Sequence, residues 1–138
     1  MFSSISITYS FHAKRKLKGG KMESILTSIK KLLGITEDYE HFDTDITIHI
    51  NSVFSILTQI GVGSETGFSI SDKTATWSYF VSDNTKIEMV KTYMYLKVKL
   101  LFDPPLNSSV TNSIEKTISE LEWRLNVAAE PKEEIQNE

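Results

Sequence analysis

The 138-residue chain predicts an all-α fold, a small bundle of about four helices with one irregular excursion between the second and third. Three observations carry that expectation. Apolar residues recur every three to four positions in four separate stretches, and glycine or proline follows each one. Cysteine is absent, so neither a disulfide nor a thiolate–metal site can stand in for a packed core. Hydrophobic residues at 40% and charged residues at 24% are the proportions of a soluble globular chain, and the length suits one domain.

Residues 1–21 show weak β-like alternation (Phe2, Ile5, Ile7, Tyr9, Phe11), then a basic run and Gly19-Gly20. The charges follow the apolar part, which is the wrong order for a secretory signal. Richness in serine and base without acid resembles an organellar transit peptide. The string Lys18-Gly19-Gly20-Lys21-Met22 has another reading, because purine codons for it spell a bacterial ribosome-binding site before a start codon. On that reading Met22 is the expected initiator and residues 1–21 are a non-native or flexible basic leader.

The helical domain is expected over residues 22–129. Its first helix runs from Glu23 to Leu33, with Ile25, Ile29, Leu32 and Leu33 on one stripe and Gly34 as its stop. Asp43 or Thr44 can cap a second helix to about Ile60, with Ile46, Ile50, Val53, Leu57 and Ile60 inward and Gly61 ending it. Residues 61–75 hold three glycines, and the alternation Phe68-Ser69-Ile70 predicts a loop with a short strand or β-hairpin. Trp77, Phe80 and Val81 predict a helical turn or two. Asp83 or Asn84 caps a third helix carrying Ile87, Val90, Met94, Val98 and Leu101 on one stripe and Met89, Tyr93, Leu96 and Leu100 beside it. Pro104-Pro105 stops it. Asn107 or Ser108 then caps a fourth, in which Val110, Ile114, Ile118, Leu121 and Leu125 share a face. Residues 130–138 form an acidic tail too polar to fold alone.

Formal charge is unevenly spread. Lys14, Arg15, Lys16, Lys18 and Lys21 lie in the first 21 residues with no acid, leaving ten bases against eighteen acids in the remainder. A body at −8 is a poor tracker of a phosphate backbone. The longest apolar stretches are broken by Lys97 and Lys99, so no membrane-spanning helix is expected.

Little in the chain points to catalysis. Gly61, Gly63 and Gly67 follow a helix, whereas a dinucleotide loop follows a strand, and their spacing is one residue too long. His41, Asp45 and His49 recur at helical spacing, but the histidines would stand about 12 Å apart along the axis, too far to share one ion. No serine sits in a nucleophile elbow, and the pairs Glu120/Glu122 and Glu133/Glu134 do not form a tuned acid–base set. No catalytic residue, cofactor or metal site is expected. Trp77, Tyr93, Tyr95, Trp123 and Arg124 stand out instead as anchors of an interface or of the core, with Lys91, Lys97 and Lys99 interleaved along the third helix.

The stretch from Ile50-Asn51-Ser52 to Gly61-Val62-Gly63, the Lys97-to-Pro105 run and Leu121-Glu122-Trp123-Arg124-Leu125 are similar to the head–tail connector (adaptor, or head-completion) proteins of tailed bacteriophages and prophages of Gram-positive bacteria. The resemblance spans roughly Glu23 to Ala128 and omits the leader. It implies a small helical subunit of a ring, usually of twelve copies, beneath the portal in the virion neck, made in the host cytoplasm. Such a ring extends the DNA channel and docks a head-closure (stopper) or tail protein, without membrane contact or sequence-specific DNA binding. It also implies a portal-attachment role for the tail, here Glu130, Pro131, Lys132, Glu133, Glu134 and Ile135. The competing reading is a small nucleic-acid-binding regulator using residues 12–21 as a basic arm.

Overall fold

The computed structural model describes residues 23–82 and 84–130. The leader (residues 1–21) and tail residues 131–138 lie outside them, as does Asp83. Five helices follow in order among the described residues: α1 (Ile25–Leu32), α2 (Asp43–Gln59), the single turn α3 (Trp77–Phe80), α4 (Asn84–Phe102) and α5 (Ser108–Ala129). The all-α expectation holds.

Local chemistry sets the helix ends. The Ser24 hydroxyl accepts from the Thr27 amide at 3.2 Å and caps α1. At the other end Gly34 turns left-handed (φ 84°). Its amide donates to Lys31 O, and that of Ile35 to Lys30 O, closing both bonds of a Schellman motif. Gly61 repeats the device after α2, with Val62 donating to Leu57 O at 2.9 Å. Asn107 caps α5, accepting from the amides of Ser109 (2.8 Å) and Val110 (3.3 Å). The expected cap of α2 needs correction. Phe42 occupies the N-cap position without a side-chain bond, and Asp43 is already helical. Its carboxylate instead meets Lys30 Nζ at 2.7 Å, and the same ammonium donates to Glu37 O at 3.0 Å. Lys30, 2% exposed, thereby ties the end of α1, the linker and the start of α2 together.

Helix α4 is the centre of the domain and packs extensively on both α2 and α5, while α1 lies across α2 and α4. Phe42, just before α2, meets Phe102 at the end of α4 edge-to-face at 5.3 Å, so these helices are antiparallel. The Pro104-Pro105 turn reverses the chain again, and Asn126 near the end of α5 donates to Ile60 O at 3.4 Å. α2 and α5 are therefore parallel; their C-terminal ends meet, a Cβ on Gly61 standing 3.2 Å from Ala129 Cβ, and together with α4 they line one groove (Ser52, Ile56, Leu100, Glu115, Ser119). The expected stripes are largely the buried ones, with Ile46, Ile50, Val53, Leu57, Ile87, Val90, Met94, Val98, Ile118 and Leu125 all in the core. Leu32, Leu101 and Val110, expected inward, are exposed. Each sits in the last or first turn of its helix, where the neighbouring helix no longer covers the stripe.

The expected strand or hairpin at residues 61–75 does not form. The excursion contains no strand among the described residues, and the one β-bridge joins Ser24 to Thr76. The alternation has another cause. Asn51 on α2 donates from Nδ2 to Ile70 O at 2.9 Å and accepts the Ile70 amide at 2.8 Å, acting as the edge of a strand would. Ile70 and Phe68 can then face inward with their backbone satisfied. Phe68 joins Phe54 (4.9 Å) and Phe80 (5.4 Å) in an aromatic cluster closing this end of the bundle.

Gly63 is required there. It lies at φ 86°, and a Cβ would stand 2.6 Å from Phe80 Cε1. Gly63→Ala should therefore destabilise the domain by about 1–3 kcal/mol in chemical denaturation. An unchanged midpoint would mean that the aromatic cluster gives way freely.

Candidate assembly surface

The five anchor residues marked in the sequence separate into two groups. Trp77 is wholly buried, its indole donating to the Ser28 hydroxyl at 2.9 Å, and that hydroxyl in turn donates to Ile25 O. Tyr93 is also wholly buried and donates to Glu122 Oε1 at 2.6 Å, joining α4 to α5. Both belong to the core and offer nothing to a partner. Tyr95 is half-buried in a cleft with Glu23 and Lys91. Arg124 is exposed and engaged by Glu120 one turn back at 2.8 Å. Trp123 is 67% exposed, which removes the core alternative for that residue.

A helical wheel explains the split on α5. At about 100° per residue, Trp123 and Val127 lie about 140° and 180° round the helix from Ile118, the centre of its buried face. They project away from α4 with nothing over them in the described domain, and Val127 is 45% exposed. Lys116 shares this outer face, is exposed, and makes no ion pair among the described residues. The face of α2 turned from the core presents Asp45, Ile48 (58% exposed), Ser52 and Ser55. A third apolar feature caps the α4–α5 turn, where Leu106 is fully exposed beside Pro105.

The lysines interleaved along α4 are engaged within the domain. Lys91 meets Glu23 at 2.7 Å, Lys99 meets Asp103 at 3.0 Å, and Lys97 stands 3.9 Å from Glu122. The described surface consequently offers no free row of cations along this helix. His41 precedes α2 and meets the Phe42 ring edge-on at 4.8 Å, so the His41/Asp45/His49 series is broken at its first member. No group of three metal-ligating side chains occurs among the described residues. No helix among them is long and apolar enough to cross a membrane. Of the marked tail, Glu130 is described, as the C-cap of α5; Pro131, Lys132, Glu133, Glu134 and Ile135 lie outside the described residues.

Burial raises the Tyr93 phenol well above its ordinary range, and the Glu122 carboxylate that accepts its proton raises it further. A raised acid stabilises the fold fully below the unfolded tyrosine value, about 10, and loses that contribution as pH climbs above it. Tyr93→Phe should cost about 1–3 kcal/mol at neutral pH, through the lost bond to a charged acceptor. The gap from the parent chain should narrow above about pH 10; a gap that stays constant to higher pH would dismiss this bond as the cause.

The comparisons with known proteins agree with an assembly role. A family model described as a phage connector protein matches residues 25–132. The searches of curated proteins and of solved structures each find no match.

The two tryptophans should respond oppositely to truncation. Trp77→Ala should lower stability by about 3–5 kcal/mol. Trp123→Ala should stay within about 0.5 kcal/mol of the parent in urea denaturation of the dilute subunit. Equal losses would place Trp123 in the core after all.

Proposed function

The chain belongs to the phage connector protein family, and on that premise we propose that it is a structural, non-enzymatic head–tail adaptor of the virion neck. It assembles as a ring of about twelve copies beneath the portal, extends the DNA channel, and gives the next head-closure or tail protein its docking surface. The observation that carries this reading is the family match, which spans all five helices from the first residue of α1. Synthesis in the host cytoplasm follows from the role.

The physical chemistry supports it. A channel must pass DNA without holding it, and a body with ten bases against eighteen acids, repeated around a ring, presents a repulsive wall. The ion-paired lysines of α4 add no phosphate-binding row. A closed ring also needs two different faces on each subunit, and exposed apolar side chains occur on both α2 (Ile48) and α5 (Trp123, Val127). The nucleic-acid-binding regulator is not favoured, because its basic arm falls in residues 12–21, outside the family match.

The tail from Glu130 to Glu138 serves in this proposal as the attachment to the portal side. It holds four acids, one base and one apolar residue, Ile135, a composition suited to ordering on contact. Truncation after Ala129 should leave a folded subunit that no longer joins DNA-filled, portal-bearing heads, measured as copies per head by quantitative mass spectrometry. The parent chain should saturate near twelve copies. Wild-type occupancy by the truncated chain would rule out the tail as the attachment. A discrete dimer that binds DNA in a salt-sensitive manner, and ignores such heads, would overturn the adaptor reading.

A further inference from the structure

We infer that the α4–α5 turn, with Leu106 at its tip, is where the next neck component (the head-closure or tail protein) docks, and that the partner offers an apolar socket rimmed by lysine or arginine. The inference rests on the adaptor reading and assigns its docking surface to one end of the subunit. Three observations combine. The first is position. The C-terminal tail follows Glu130, the C-cap of α5, whereas Leu106 stands just before Asn107, the N-cap of the same helix. α5 has 22 residues, so about 33 Å separate its two ends. With the C-terminal tail on the portal side, the turn lies at the end of α5 away from that attachment.

Second, the turn is apolar and held in place. Leu106 is fully exposed, and Leu101 (55%) and Val110 (47%) are exposed on the helices either side of it. Isolated exposed apolar side chains are ordinary, but three grouped about one turn mark a contact surface. Pro104 and Pro105 each have a fixed φ. Lys99 Nζ donates to Asp103 O at 3.2 Å and to its Oδ2 at 3.0 Å, which secures the turn on the α4 side. Asn107 secures it on the α5 side through the amides of Ser109 and Val110. A side chain presented on a turn fixed at both ends loses little freedom on docking.

Third, the surroundings are acidic. The Tyr39 ring lies 5.9 Å from that of Phe42, which meets Phe102 at the end of α4, so the α1–α2 linker borders the same end of the bundle. Glu37, Asp38 and Glu40 in this linker and Asp45 in the first turn of α2 are exposed, and none makes an ion pair among the described residues. Of the bases nearby, Lys30 and Lys99 are engaged by Asp43 and Asp103, which leaves Lys31. An apolar tip beside this much negative charge suits a basic-rimmed socket, and it repels both DNA and the same end of another copy.

The chain has no cysteine, so a single reactive site can be placed at either end. Leu106→Cys and Ile135→Cys would each be labelled with a benzophenone maleimide and assembled on DNA-filled, portal-bearing heads. The heads are then completed with purified head-closure protein and phage tails and irradiated, and the adducts are identified by mass spectrometry. The probe at 106 should join the head-closure or tail protein, and the probe at 135 should join the portal. Portal adducts from position 106, or adducts there confined to neighbouring copies, would overturn the assignment. Leu106→Asp should leave the denaturation midpoint and head occupancy unchanged. It should lower the fraction of heads that acquire phage tails roughly tenfold, because an unpaired carboxylate would enter the socket. Glu37→Gln with Glu40→Gln should lower that fraction at low salt and have little effect at high salt. Full attachment of phage tails by Leu106→Asp would overturn the docking assignment and leave the adaptor reading standing. Failure of the parent chain to join heads would overturn both.

Discussion

The architecture depends on one helix being covered from nearly every side. α4 buries Ile87, Val90, Tyr93, Met94 and Val98, and half-buries Met89, Tyr95, Leu96, Leu100 and Phe102. A helix apolar around that much of its circumference is stable only with partners on several faces. α2, α5 and α1 supply them. Because α4 takes the centre, the helices beside it become edges, each with one face to the core and one turned outward. The same constraint that builds the core leaves Ile48 on α2 and Trp123 and Val127 on α5 exposed.

Polar groups hold the parts in register where apolar burial alone would leave slack. Buried Lys30 fixes the turn from α1 into α2 through Asp43 and Glu37 O. Asn51 holds the excursion by both polar groups of Ile70. Tyr93 binds Glu122 across the α4–α5 contact. Each replaces lost water contacts with a specific partner, so each selects one arrangement among several that would bury similar area.

Much of this was legible in the sequence, for reasons particular to the residues. Gly34, Gly61, Asn107 and Pro104-Pro105 are local signals, and they end or begin helices where local chemistry says they should. The long stripes of α2 and α4 were equally plain. What escaped depends on distance in the chain. Asn51 and Ile70 are nineteen residues apart, so nothing local distinguishes Phe68-Ser69-Ile70 from a strand. Lys30 reads as one more surface cation until Asp43 is brought to it. The wheel already sets Trp123 off the Ile118–Leu125 stripe, yet whether that flank faces solvent or another helix depends on how α1, α2 and α4 divide the space. Trp77 is the converse case, an aromatic that resembles an interface anchor until Ser28, forty-nine residues earlier, is found beneath its indole.

The central claim is that this domain is a ring-forming subunit of the virion neck. Electron cryo-microscopy of the portal vertex of DNA-filled particles tests it most directly. The account predicts a closed ring of this domain below the portal, around the DNA channel. A vertex lacking the chain would contradict the functional claim.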